Sequence, residues 1–368
     1  MSLIYNATFD KNTRKLSFED RAGNEIYSFT VPERGPAVDD PNKPLMLRAI
    51  EDNSSVTLTD SVTLDNTYQT STNGTDWTDY TLGTKISLNK GESVYFRCSN
   101  HPTMQTGAKY VYFVMTGKVE AWHNAYSMIS SDFSSAEGSV GEYGMNGLFE
   151  HCLSLTKAPL LLNALAPFCY IGTFMNCQSL TQAPALPATN LAEGCYQAMF
   201  QWCKSLTKAP ELPATTLADY CYYSMFQWCK SLTKAPELPA TTLAAYCYNR
   251  MFSYCQSLTK APELPATTLA AYCYDSMFGG CQSLTKAPEL PATTLANKCY
   301  SGMFSDCSKL NEVRIAATRT TTDALKDWLK GVSATGDFYC DPNATIFQTG
   351  TSGIPANWTR RNIADYPN

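Results

Sequence analysis

The chain has little charge, few histidines and no long apolar run. Charged residues make up 17% of its 368 positions, below the quarter or so usual in soluble domains. Hydrophobic residues still reach 44%, which excludes disorder by composition. Lysine plus arginine is 28 against 33 for aspartate plus glutamate, a formal net charge of −5. With no basic excess, nucleic acid is excluded as a partner. The longest uncharged stretch of note, residues 158–174, is broken by Pro159, Asn163 and Pro167. It is too short and interrupted to insert in a membrane. Near the N-terminus the only apolar run is Leu3, Ile4 and Tyr5, and the first lysine, Lys11, follows it. No secretory leader is expected from that pattern.

Catalytic signatures are missing as well. The three histidines are His101, His123 and His151, and no C-x-x-C occurs among the 15 cysteines. Zinc-ligand spacing is therefore absent. No Gly-x-Ser-x-Gly elbow, phosphate loop or dinucleotide fingerprint is present. The histidines are read as surface or loop residues. The sequence thus predicts no catalytic residue, no metal and no cofactor, and a protein that is not an enzyme.

What the chain does have is a repeat. Cys177, Cys203, Cys229, Cys255, Cys281 and Cys307 are each 26 residues apart, and so are Cys195, Cys221, Cys247, Cys273 and Cys299. One unit, LTKAPELPATTLADYCYYSMFQWCKS, runs from Leu206 to Ser231 and recurs from Leu232, Leu258 and Leu284. A close copy starts at Leu180, a degenerate one at Leu155, and the last rung, LNEVRIA, starts at Leu310. Units that cannot bury their own apolar face must stack, which implies a solenoid.

The second half of each unit reads as a helix. Thr216 is placed as its N-cap. Leu217, Cys221, Met225 and Cys229 recur every fourth residue and so share one face. The predicted core ladder is Cys195, Met199, Cys203, Cys221, Met225, Cys229, Cys247, Met251, Cys255, Cys273, Met277 and Cys281, with small buried cysteines acting as apolar residues. They should be reduced, since the spacing of helical cysteines exceeds disulfide reach. The first half is extended. Pro210 and Pro213 leave room for a strand of three or four residues around Leu206–Ala209, and the proline-free last rung should be the most regular strand.

The pattern L-x-x-A-P-x-L-P…C-Y-x-x-M-F-x-x-C-x-S-L resembles the BspA-like, or Treponema pallidum-type, leucine-rich repeats, whose relatives occur in gut Bacteroidetes and their phages. The resemblance covers Gly144 to Ala316, nearly half the chain. It implies binding or adhesion rather than catalysis. The fold class expected is an α/β repeat solenoid of leucine-rich-repeat type, with short parallel strands plus helices, preceded by an all-β N-terminal region.

Five segments follow. Residues 1–34 form a small β attachment segment, with KLSF and EIYSFTV as strands around an Arg21–Asn24 turn. Residues 35–44 continue a proline-rich linker. Residues 45–137 alternate apolar and polar in short runs, with an Asn73-Gly74 hairpin signal, and suggest an antiparallel sandwich-like domain. Residues 138–316, entered through a loop at Gly138, Gly141 and Gly144, hold about seven solenoid rungs. Residues 317–368, with a short capped amphipathic helix from Thr322 to Gly331, cap the last rung.

Two surfaces could meet a partner. The x positions of C-Y-x-x-M-F-x-x-C change at nearly every rung. Tyr223, Asn249, Arg250 and Tyr254, with Trp202 and Trp228 at the stripe's border, are the candidate contact residues, of types that recognition surfaces favour. Tyr220, Tyr246 and Tyr272 are constant and read as a structural ladder. The second surface carries Lys208, Lys234, Lys260 and Lys286 three residues before Glu211, Glu237, Glu263 and Glu289. These read as two solvated charge ladders that relieve one another, not as a catalytic carboxylate pair. The functional expectation is a phage tail, fibre or head-appendage protein, located in the virion. It would recognise a bacterial surface protein or glycan through its repeats and other virion proteins through its N-terminal region, with homo-oligomerisation left open. The alternative is a bacterial cell-surface adhesin.

Overall fold

In a computed structural model, the described residues are 6–10, 15–19, 25–30, 38–61, 67–100, 109–130, 140–321 and 323–366. The expected Arg21–Asn24 turn, most of the linker, His101, Gly138 and Thr322 lie outside them. Two compact units result, Met1–Asp39 and Asp40–Asn368. The first holds β1 (Asn6–Asp10), β2 (Lys15–Glu19) and β3 (Glu25–Thr30) as an antiparallel meander, with Ala7 opposite Phe18 and Phe18 opposite Tyr27.

The second unit begins with strands whose inward positions alternate, the pattern of a sheet with one buried face. They are β4 (Leu45–Ala49), β5 (Ser54–Asp60), β6 (Tyr68–Ser71), β7 (Thr78–Tyr80), β8 (Ile86–Leu88), β9 (Ser93–Cys98), β10 (Val111–Thr116) and β11 (Val119–Trp122). Strand β12 (Leu155–Lys157) already belongs to the first repeat. The order is β12-β11-β4-β9-β6-β7 in one sheet and β10-β5-β8 in the other. Val56, Leu58, Phe96 and Phe113 are buried in the shared core. Asn73-Gly74 lies in the β6–β7 connection, where Gly74 takes φ 82°. Strand β11 pairs in parallel with β12, and the Phe113 amide of β10 donates to the Leu148 carbonyl at 2.8 Å. These bonds join the sheets to the repeats.

No α-helix occurs among the described residues. The expected α/β leucine-rich-repeat solenoid is therefore overturned, together with the Thr216 N-cap and the helix from Thr322 to Gly331. The chain is nearly all β and turn. Where helices were expected, tandem turns run instead. Within one repeat the amides of Gln197, Met199, Gln201 and Cys203 donate three residues back, to Gly194, Tyr196, Ala198 and Phe200. The alternate amides of Tyr196, Ala198, Phe200 and Trp202 donate to Cys221, Tyr223, Met225 and Gln227 in the next repeat, at 2.8 to 3.0 Å. Every fourth residue is left-handed: Gly194, Ala198 and Trp202 have φ of 54°, 53° and 66°, and Tyr220, Ser224 and Trp228 follow suit.

That geometry explains the misreading. A strict four-residue spacing drifts about 40° per step on a helix of 3.6 residues per turn, but stays in register on a turn ribbon. The ribbon turns residues inward in pairs, Cys195-Tyr196 then Met199-Phe200, and all are buried. The left-handed backbone costs about 1–2 kcal/mol per non-glycine residue. Inter-repeat hydrogen bonds of about 0.5–1.5 kcal/mol each and the buried pairs offset it. No β-branched residue occupies any of the left-handed positions, as their stiff side chains require.

The predicted cysteine and methionine ladder is buried, every member of it fully, and all 15 cysteines are free thiols. The thiols have a specific task. Cys203, Cys229, Cys255 and Cys281 each donate S–H to the carbonyl of Phe174, Phe200, Phe226 and Phe252 in the preceding repeat, at 3.1 Å. Burial pushes the Cys221 and Cys307 thiols up to about 12, which keeps them protonated. Beside them phenylalanines stack from Phe113 through Phe149, Phe174, Phe200, Phe226, Phe252 and Phe278 to Phe304.

The other half of each repeat is an arch rather than a strand. Its prolines interrupt the ladder, and only isolated parallel bridges such as Lys208 to Lys234 and Thr242 to Thr268 join successive copies. Proline-free β13 (Glu312–Arg314) forms a parallel sheet with β14 (Gly336–Cys340) and β15 (Trp358–Asn362). Trp328, fully buried, closes the aromatic columns against Phe304 and Phe338, and its indole N–H donates to the Gly353 carbonyl at 3.0 Å.

Candidate functional site

The turn side carries the variable positions. Between the buried pairs, most of the x-x positions are partly or fully exposed, while Ser224, Asn249 and Ser253 are buried. The left-handed residues of successive copies stack there in columns. Trp202 lies on Trp228 with centroids 4.7 Å apart, and Trp228 on Tyr254 at 4.0 Å, nearly parallel. A second column runs Tyr220, Tyr246 and Tyr272 at 4.6 and 4.4 Å. All six rings are partly exposed. The inner rings, Trp228 and Tyr246, are stacked on both faces and present electropositive edges to a partner. Lys204 and Lys230 sit over Trp202 and Trp228 at 5.8 and 5.3 Å, and Lys298 sits over Tyr272 at 5.2 Å.

A polar band lies between the columns. Tyr223 tilts against Tyr220 at 5.9 Å, and Arg250 is exposed. Asn249, expected to point outward, is buried, and its Oδ1 has no hydrogen-bond partner among the described residues. Ser224 and Ser253 are buried too, the latter donating to the Gly279 carbonyl at 3.2 Å. Burial raises the Asp275 carboxyl, against the opposing hydrogen bond from Ser276 and the charge of Arg250. The column ends where Tyr254 lies over Gly280. A Cβ there would come within 2.6 Å of the ring, and φ is 74°, so glycine is required.

Of the six candidate residues, the structure places Tyr223, Arg250, Tyr254, Trp202 and Trp228 on one surface and withdraws Asn249 from it. Sequence reasoning missed that Tyr220, Tyr246 and Tyr272 share this surface. Their recurrence at the first left-handed position of each ribbon was the available signal.

The arch side is chemically uniform. Two adjoining grooves of about 450 and 670 Å³ lie between successive arches, lined by Lys234, Glu237, Lys260, Glu263, Lys286 and Glu289 with intervening prolines. Tyr366 stands at the end of the larger one, donating to Glu312 at 2.8 Å. Among the described residues, no ion pair joins the lysines and glutamates of the 208/211, 234/237 and 260/263 copies. At the last rung the pairs are made: Lys286 to Glu312 and Arg314 to Glu289, each at 3.1 Å.

The histidines are dispersed. His123 is buried and accepts the Asp40 amide at Nδ1, 3.1 Å away. His151 is 3.3 Å from Glu150 and 2.8 Å from the Asn176 amide. Among the described residues, no cluster of three or more histidine, cysteine or acidic side chains could hold a metal. No helix among them is long and apolar enough to cross a membrane.

No family model, curated protein or solved structure matches this chain.

Proposed function

We propose that the chain is a non-enzymatic recognition protein that meets its partner with the turn side of its repeats. The observation that carries this reading is the pair of half-exposed aromatic columns flanking a polar band that differs from copy to copy, on a backbone that does not differ. Rigid tyrosine and tryptophan offer large contact area at low entropic cost, and Arg250, Tyr223 and Asp275 supply selectivity. The motif resemblance supplies the setting: a phage appendage in the virion that binds a bacterial surface protein or glycan, with a bacterial surface adhesin as the alternative. Other virion proteins would hold the N-terminal region.

The test is cell binding by the full chain. Replacing Tyr223, Arg250 and Tyr254 together by alanine should abolish binding to Bacteroidetes host cells while the fold survives, because none of the three is part of the buried ladder. Asn249 is left intact, since its burial mixes packing with contact. Trp202 and Trp228 are replaced separately. Unchanged binding by all these variants would overturn the assignment. Detection of the protein in purified virions would separate the phage setting from the adhesin setting.

A further inference from the structure

The arch side poses an electrostatic problem that the chain solves only at its last rung. Lys208, Lys234 and Lys260 form one exposed column, and Glu211, Glu237 and Glu263 form another. Parallel bridges run from Lys208 to Lys234, and bridged strands lie about 4.8 Å apart. Like charges are therefore stacked, which is destabilising, and among the described residues no neighbouring ion pair relieves them. The mutual relief expected from the sequence is not made. At the final rung the sign reverses. Glu312 takes the lysine position and Arg314 the glutamate position, and both close ion pairs with the copy before them. Where opposite charge is within reach, the columns take it.

The geometry points to a second copy of this chain as the occupant of the arch side, docked face to face with the two repeat stacks parallel. A two-fold axis along the stacking direction carries each lysine column onto the partner's glutamate column. An axis across the stack sets lysine against lysine and is excluded. The interface is then isologous, the commonest form for a homodimer, and one surface supplies both halves of every pair. The grooves of about 450 and 670 Å³ between the arches give the partner's long side chains somewhere to lie. Such a dimer leaves both turn sides facing outward, and it is independent of what the turn sides bind.

Sedimentation velocity of the full chain tests this. The wild type should be a dimer at about 0.05 M salt and dissociate toward about 0.5 M, because exposed pairs are screened over a Debye length. Lys208→Glu, Lys234→Glu and Lys260→Glu together should give a monomer, and so should Glu211→Lys, Glu237→Lys and Glu263→Lys. An equimolar mixture of the two variants should restore a dimer, since one face is then all acidic and the other all basic. Circular dichroism checks that each variant is folded. If a triple variant fails to fold, the single exposed change Lys234→Glu carries the same reading, with dimer affinity weakened at least about tenfold. A wild type that stays monomeric at low salt, a dimer indifferent to both triple variants, or folded variants that do not pair when mixed would each overturn the proposal. Cell binding by the turn side is not read in this assay, so its failure and that of the turn-side reading are separable.

Discussion

The two sides of one repeat are built by opposite strategies. On the turn side every second backbone amide bonds to the next copy, and the outward side chains vary, Ala198 in one copy and Arg250 in another at the same position. On the arch side isolated bridges replace a ladder, yet KAPELP is repeated letter for letter in the four copies from Lys208, Lys234, Lys260 and Lys286. Backbone bonding therefore frees the turn side from depending on its exposed side chains. The arch has prolines in place of donors, so its shape rests on fixed φ angles and on buried Leu212, Leu238 and Leu264. Variation is tolerated where the backbone holds the structure and not where the side chains do.

The largest test of that contrast is alkaline titration. Burial raises the Cys221, Cys299 and Cys307 thiols from 9.0 to about 12, and the Tyr248 hydroxyl is raised for the same reason. Above pH 9 the unfolded chain has lost protons that the folded chain still binds. Stability is thus full below pH 9 and falls as pH rises toward 12. Denaturant midpoints measured between pH 7 and 11 should drop sharply over the upper half of that range. A flat profile would mean that the thiol columns are not closed to water.

Met225→Ala comes next. It empties a fully buried position on the ribbon and should cost about 2–5 kcal/mol in denaturant unfolding. Cys229→Ala should cost less, about 0.5–1.5 kcal/mol, because the Phe200 carbonyl loses the S–H donor but keeps the Cys203 amide. Restoring a donor with Cys229→Ser should recover part of that loss, and no recovery would reduce the thiol to a space filler. Ala198→Gly should stabilise by up to about 1 kcal/mol, since glycine takes the left-handed conformation without penalty. Ala198→Val should destabilise at the same site. Smallest of all, Gln227→Ala should shift stability by no more than about 0.5 kcal/mol. If it rivals Met225→Ala, inward and outward have been exchanged.

Much of this was legible in the residues. The 26-residue period, the buried Cys/Met ladder, the free thiols and the proline-broken first half all follow from spacing and composition. The helix did not. Leu217, Cys221, Met225 and Cys229 satisfy a helical stripe over three steps, and nothing in their chemistry separates it from a turn ribbon. The Tyr and Phe that follow the first Cys and the Met of each repeat, as in Cys221-Tyr222 and Met225-Phe226, were the discriminating mark, because they make the buried set a run of pairs. Asn249 was misplaced for the same reason: a helical wheel sends it outward, whereas the ribbon buries it.

Alone, the sequence determined which apolar residues are inside and that the copies must stack, because apolar faces repeated at a fixed interval can be buried only against one another. It also determined which positions tolerate left-handed backbone, by keeping β-branched residues out of them. Only the tertiary structure decided how the backbone amides are satisfied. A helix satisfies them within one segment, and a turn ribbon sends half of them to the next copy. That choice depends on a neighbour 26 residues away being held in register, which no local pattern encodes. The aromatic columns and the unpaired charge columns are likewise products of stacking. Each contains one residue per copy, and they exist as surfaces only once the copies are assembled.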